Sequence, residues 1–310
     1  MNPWTRSLSM LAIAGTALTA IAAAPAFTAP DGLTQPDVLP FDLEVDCEQF
    51  VPRQEPGVSG ITDGGDDVRL DVLVLIDTEQ TLAIAEQLRD AETEEEHAAA
   101  EAAFEALVAE VEPLIAPGDQ SYAALDISYD LDFDLYLPFE DDGTPRDRAT
   151  EDARQSQLII DGAKDQMGGV RPEGTDVVYV VTDLDIFAPG IGDAVAGQAD
   201  CIGGVEWPEH AFAVGEIPYY ADLALGPILF YREATAKIMG HEIGHLMGAH
   251  HHYQTCGPHA VGETLAGGFG ACSLMTNAVD FTTYEFSVLN GGIIRANAVE
   301  WAHDEAGHSH

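Results

Sequence analysis

His241-Glu242-Ile243-Gly244-His245 sets two imidazoles four residues apart. On a helix these positions leave the same face one turn apart, so both rings can grip a single ion. Glu242 stands beside them, where a carboxylate can hold a water at that ion. Hydrolysis at zinc takes three protein ligands and one open position. A third imidazole follows at His251, after Gly248, a residue able to take the left-handed conformation that ends a helix. Three neutral nitrogens and one carboxylate are the parts of metal-assisted hydrolysis, with His241, His245 and His251 as ligands and Glu242 as general base. His250 and His252 fall at other offsets and read as surface or supporting groups.

The string HEIGHLMGAHH fits HExxHxxGxxH at every fixed position, and there the chain resembles the metzincin metallopeptidases. Their second mark is a methionine turn after the third histidine. Cys272-Ser273-Leu274-Met275-Thr276-Asn277 resembles it, with Met275 as a structural residue and not a ligand. Three weaker stretches are similar to the adamalysin (reprolysin-like) branch: Asp176–Asp183, Gly197–Cys201, and Phe286–Asn290 with the helix-like Ile293–Trp301. The resemblance covers roughly residues 66–302. Leu246-Met247 and His252 depart from that branch, which usually has Asn-Leu after the second histidine and Asp after the third. Asn277 stands where other branches carry a metal-reaching tyrosine, so no tyrosine ligand is carried over.

The resemblance implies an α+β zincin-type fold. Its parts would be a twisted, mostly parallel sheet with an antiparallel edge strand, an active-site helix and a small C-terminal subdomain. It also implies a zinc endopeptidase with one catalytic Zn2+, and a protein or peptide substrate lying extended along the edge strand near Asp193–Ala199. The competing readings are a zinc-holding binding protein that has lost catalysis, and a narrow-specificity peptidase or aminopeptidase. Retention of Glu242 argues against the first, because holding a metal needs only the histidines.

Hydrophobic patterning supplies the elements that must carry these residues. Pro227–Met247 reads as the helix bearing the histidines, with a proline suited to its start. Val68–Ile76 is β-branched and apolar, a buried strand. Thr93–Ile115 has helical spacing, with Phe104, Leu107, Val108, Val111 and Ile115 on one face. Leu125–Leu137 alternates apolar residues with aspartates, the pattern of a half-exposed strand. Asp147–Met167 reads as a helix closed by Gly168-Gly169. Asp176–Thr182 is nearly all valine and so central. Asp193–Ala199 and His210–Val214 are short strand candidates. The order β–α–β–α–β predicts a layered sheet with right-handed crossovers.

The whole chain of 310 residues has 12 Lys+Arg against 54 Asp+Glu, a net charge of −42, and its lysines are Lys164 and Lys237. Such a surface repels phosphate backbones and anionic membranes, which excludes nucleic-acid binding. The charge reads either as solubility through self-repulsion or as adaptation to high salt. Calcium at carboxylate clusters such as Asp63–Asp67 has no supporting EF-hand loop.

Residues 1–26 read as a cleaved secretory signal: Arg6, an apolar run Leu8–Ala24, then Ala24-Pro25-Ala26. Export makes disulfides the default for Cys47, Cys201, Cys256 and Cys272. Proximity suggests Cys256 with Cys272, which leaves Cys47 with Cys201; occupation of the zinc by Cys47 as a latency device is the weaker reading. Residues 27–65 read as a linker or short pro-segment, 66–302 as the catalytic domain and 303–310 as a polar tail. The expected product is a secreted monomer without a membrane anchor.

Overall fold

A computed structural model describes residues 47, 68–137, 153–188, 195–217, 227–251, 255–258, 269–271, 273–275 and 284–301. All of them belong to one unit, Pro40–His310; residues 1–39, with the expected signal, lie outside the described residues, as do the calcium candidate Asp63–Asp67 and the polar tail. Strand β1 (Val68–Asp77) pairs in parallel with β2 (Ile127–Leu135) and with β4 (Val177–Thr182), and β4 pairs in parallel with β7 (Phe212–Glu216). Short β6 (Gly197–Ala199) closes the sheet antiparallel to β7, giving the order β2-β1-β4-β7-β6. Helices connect β1 to β2 and β2 to β4, while among the described residues no α-helix stands between β4 and β7, so the architecture is mixed α/β with an antiparallel edge.

The period-2 alternation of side chains divides the core into two layers. Leu70, Val72, Val74 and Ile76 of β1 join Val177, Tyr179 and Val181 of β4 on one face. They meet Leu107, Val111 and Ile115 of α2 (Glu94–Ile115), together with Met239, Ile243 and Leu246 of α5 (Pro227–Leu246). Leu75, Val178, Val180, Phe212 and Val214 face the other way, onto Ile159, Ile160 and Ala163 of α4 (Ser156–Gln166). The valine run is wholly buried because helices cover both faces, as expected of a central parallel strand. In β2 the aspartates Asp130, Asp132 and Asp134 remain exposed while Leu131 and Phe133 turn toward the core.

Helix α2 starts at a capping box: the Thr93 hydroxyl accepts from the Glu96 N–H, and Glu96 accepts from the Thr93 N–H. Helix α4 begins later than the sequence pattern predicts. Residues 147–152 lie outside the described residues, and Ala153–Gln155 forms β3, parallel to β5 (Asp185–Phe187). The apolar face of α4 starts only at Ile159, so nothing upstream of Ser156 rewards helix formation. Two further helices were not evident in the pattern, α1 (Thr81–Asp90) and α3 (Asp119–Ala123). A two-stranded ribbon, β8 (Thr255–Pro258) with β9 (Phe269–Ala271), and helix α6 (Val288–Trp301) complete the described chain.

Cys47 is bonded to Cys201, and its N–H donates to the Ile202 carbonyl at 3.2 Å. Cys272 lies outside the described residues, so the expected Cys256–Cys272 pairing does too. Among the described residues no helix is long and apolar enough to cross a membrane.

Candidate metal centre

Helix α5 is buried on every side from Ala234 to Leu246, apart from the half-buried His241. Its polar residues Thr235, Lys237, Glu242 and His245 are buried along with its apolar ones, so the helix is enclosed by its own domain. Tyr122 fixes it from below, its hydroxyl donating to the Gly240 carbonyl at 2.9 Å. Burial raises the Tyr122 phenol well above its ordinary range, so it stays a neutral donor. Gly244 lets the segment carrying Met275 come close: a Cβ on Gly244 would stand 2.7 Å from the Met275 sulfur and 3.1 Å from the Phe286 ring. Met275 is thus buried directly against the helix between the two histidines of α5.

The His241 and His245 Nε2 atoms lie 3.0 Å apart, and each lies 3.2 Å from Nε2 of His251. The outward nitrogens are engaged. His241 Nδ1 meets the Leu274 carbonyl at 2.7 Å, and His245 Nδ1 meets the Ala249 carbonyl at 2.8 Å. A carbonyl only accepts, so both rings carry their proton on Nδ1 and, when neutral, aim Nε2 lone pairs at each other. Lone pairs at that separation repel unless they share a cation. Tetrahedral zinc with Zn–N near 2.0–2.1 Å sets its nitrogens about 3.3 Å apart. The donor set and its spacing therefore fit such an ion.

Helix α5 ends at Leu246. Gly248, at φ +90°, turns the chain as the sequence predicts, and His251 returns to face the helix. His250 is exposed and its ring does not join the cluster; His252 lies outside the described residues.

Glu242 is buried, and burial pushes its carboxyl up to about 8, against the pull of a hydrogen bond from the Ala199 N–H. Asp200 N–H pairs with the Phe212 carbonyl, and Glu216 N–H with the Ala196 carbonyl. In an antiparallel ladder the intervening residues alternate, so the polar backbone groups of Gly197 and Ala199 turn to the free edge, where Glu242 lies. Asp200 anchors this edge: its Oδ2 accepts from Lys164 Nζ at 2.7 Å and meets His210 Nδ1 at 2.5 Å, while Oδ1 accepts from Gln157 at 3.2 Å. Asp200, Cys201 and His210 also converge. The Cys201 sulfur is in a disulfide and Asp200 is already engaged, so that group is a clamp and not a ligand set.

Sequence reasoning missed the Gly197–Glu242 contact, the Asp200 clamp and two asparagines of α6. Asn290 and Asn297 bond the backbone on either side of Gly248. No local signal singled them out, because α6 carries Arg295 and Glu300 as well.

No family of known proteins matches the sequence, and no curated protein matches it significantly. Among solved structures the fold is similar to archaemetzincin from Methanopyrus kandleri, at 17% identity and TM-score 0.41, covering 76% of this chain and 98% of that one. It is also similar to a zinc-dependent peptidase from Methanocorpusculum labreanum, at 14% identity and TM-score 0.37, covering 72% and 99%. Metalloproteinase-II from Bacteroides fragilis aligns at 13% identity and TM-score 0.38, covering 78% of this chain and 56% of that one. At these scores the likenesses establish neither a family nor an activity for this chain.

Proposed function

We propose that this chain is a secreted, zinc-dependent endopeptidase of the metzincin kind, with His241, His245 and His251 as ligands and Glu242 as general base. The observation that carries the reading is the convergence of three Nε2 atoms within 3.2 Å beside a buried carboxylate. Zinc held there would acidify a water and polarise a peptide carbonyl. The protein's own groups do the rest. The Leu274 and Ala249 carbonyls hold the ring protons on Nδ1, so the Nε2 lone pairs stay aimed inward. Glu242, steadied by the Ala199 N–H, would be held in its ionised form by the positive charge of a bound zinc, and as a carboxylate would take a proton from water and deliver it to the leaving amine.

An extended peptide would pair with the outward backbone groups of Gly197 and Ala199, a mode tolerant of side-chain sequence. The acidic surface favours basic or neutral substrates over acidic ones. A disulfide at Cys47–Cys201 supports an oxidising compartment, in keeping with export through residues 1–26. The working form would be a monomer with one zinc.

The test is cleavage of casein by the purified, exported chain at several salt concentrations, beside metal analysis, a chelator control and Glu242→Ala. Zinc near one per chain, with proteolysis lost to chelator and to the substitution, is expected. Stoichiometric zinc without cleavage at any salt would turn the reading toward metal holding or a single dedicated substrate. Folded protein that takes up no zinc would overturn the ligand assignment.

A further inference from the structure

Two of the three histidines ride on α5, and the third does not. Beyond Leu246 the chain turns at Gly248, and His251 depends on whatever fixes residues 247–250. Backbone bonds from the end of α5 hold the N–H groups of Met247, Gly248 and Ala249, and side chains hold the carbonyls and His250. The Asn297 amide donates to the Met247 carbonyl at 2.8 Å. His245 Nδ1 donates to the Ala249 carbonyl at 2.8 Å. The Asn290 amide takes both polar groups of His250, donating to its carbonyl at 2.8 Å and accepting from its N–H at 3.3 Å. Two of these three clamps come from α6.

The asparagines lie seven residues apart, two turns along one face, and are only 5% and 8% exposed. Their neighbours on α6, Ile294 and Ala298, are core residues. A polar amide on such a face costs stability unless it is bonded, and among the described residues the bonds these amides make go to the turn before His251. Asn290 is itself held in the first turn of α6, where the Ser287 hydroxyl accepts its N–H at 3.2 Å. A Cβ on Gly248 would meet the Asn297 amide nitrogen at 2.6 Å and Ile293 at 3.0 Å, so helix and turn touch without slack.

We infer that Asn290 and Asn297 are positioning residues for the third ligand: α6 fixes the 247–250 turn so that His251 meets the two histidines of α5 at ligand distance. This rests on reading the three histidines as a zinc site. Loss of the clamp leaves His251 attached but unaimed, and metal affinity falls while the other two ligands are untouched.

The experiment uses the full exported chain. Zinc affinity is measured by competition with a chromophoric chelator, and the cobalt(II)-substituted protein gives a visible spectrum that reports coordination. Asn290→Leu is expected to weaken zinc binding about 10- to 100-fold and to lower the cobalt bands, with Asn297→Ala a weaker copy. In a His251→Ala background Asn290→Leu is expected to change zinc affinity no further, because its effect passes through His251. Asn290→Asp, which keeps the acceptor for the His250 N–H but sets an oxygen against its carbonyl, serves if the leucine variant does not fold; an intermediate loss is expected.

Variants that bind zinc as tightly as wild type with an unchanged cobalt spectrum would overturn the inference while leaving the zinc site standing. So would an equal loss in the His251→Ala background, which would mark a general structural effect. Wild-type protein that takes up no zinc would overturn the site reading and this inference with it.

Discussion

The Glu242 carboxylate occupies the space that a side chain at Gly197 would need. A Cβ on Gly197 would stand 2.5 Å from Glu242 Oε1 and 2.7 Å from its Cγ. The edge strand and the general-base candidate are therefore fitted to each other. Gly197→Ala is expected to push the carboxylate aside without touching a histidine. A displacement near 1 Å costs on the order of 100-fold in rate. Turnover of casein should fall by about that factor, while metal analysis still finds one zinc per chain; loss of zinc instead would tell against the separation of roles.

The Gly244–Met275 contact makes a second prediction. Gly244→Ala places a methyl against the Met275 sulfur, and overpacking of that kind costs about 1–3 kcal/mol. Urea unfolding should detect the loss. Met275→Ala in the same chain should recover part of it, so that the double variant is more stable than the sum of the singles predicts.

Cys47 and Cys201 are 154 residues apart in sequence. A cross-link over so long a loop removes much freedom from the unfolded chain, and losing it typically costs about 2–4 kcal/mol. Cys47→Ser with Cys201→Ser should show that drop in denaturant midpoint, and the wild type should show it only when assayed with reductant.

Glu216 predicts a pH dependence. Desolvation raises its carboxyl from 4.5 to about 7, with Asp185 adding to the shift and the Ile186 N–H opposing it. The folded protein holds this proton where the unfolded chain has released it. The stability linked to the group is therefore greatest below about 4.5 and is lost as pH rises through about 7. Glu216→Gln keeps an oxygen for the Ile186 N–H and removes the titration. Thermal melts should find the variant and wild type similar near pH 4, with the variant ahead by roughly 1–2 kcal/mol at pH 8, the side chain's partial exposure included.

The central strand and the histidine helix were legible because their signals are local. Val177–Val181 can only be a strand buried on both faces, and alternating aspartates in Tyr129–Leu135 announce one open face. His241 and His245 share a helical face by spacing alone. The start of α4 was misjudged because charged residues ahead of Ser156 fit a solvated helix as well as they fit a loop, and the pairing of β3 with β5 is a tertiary event. Gly197 and Asn290 carried no local signal. A glycine in a strand and an asparagine in a helix gain meaning only when a distant carboxylate or turn arrives against them.

Enclosure of α5 also sets how the histidines resist loss. Buried backbone amides exchange with solvent only when the structure around them opens, and an element walled on all sides opens with the whole unit. Amides from Ala236 to Leu246 should therefore report the global unfolding free energy, while those from Gly248 to His251 should exchange through a smaller opening in which α6 lifts from the turn. His241 and His245 would then belong to the slowest-exchanging part of the molecule, and His251 to a faster one. A metal bridging the two would make them exchange at a common rate.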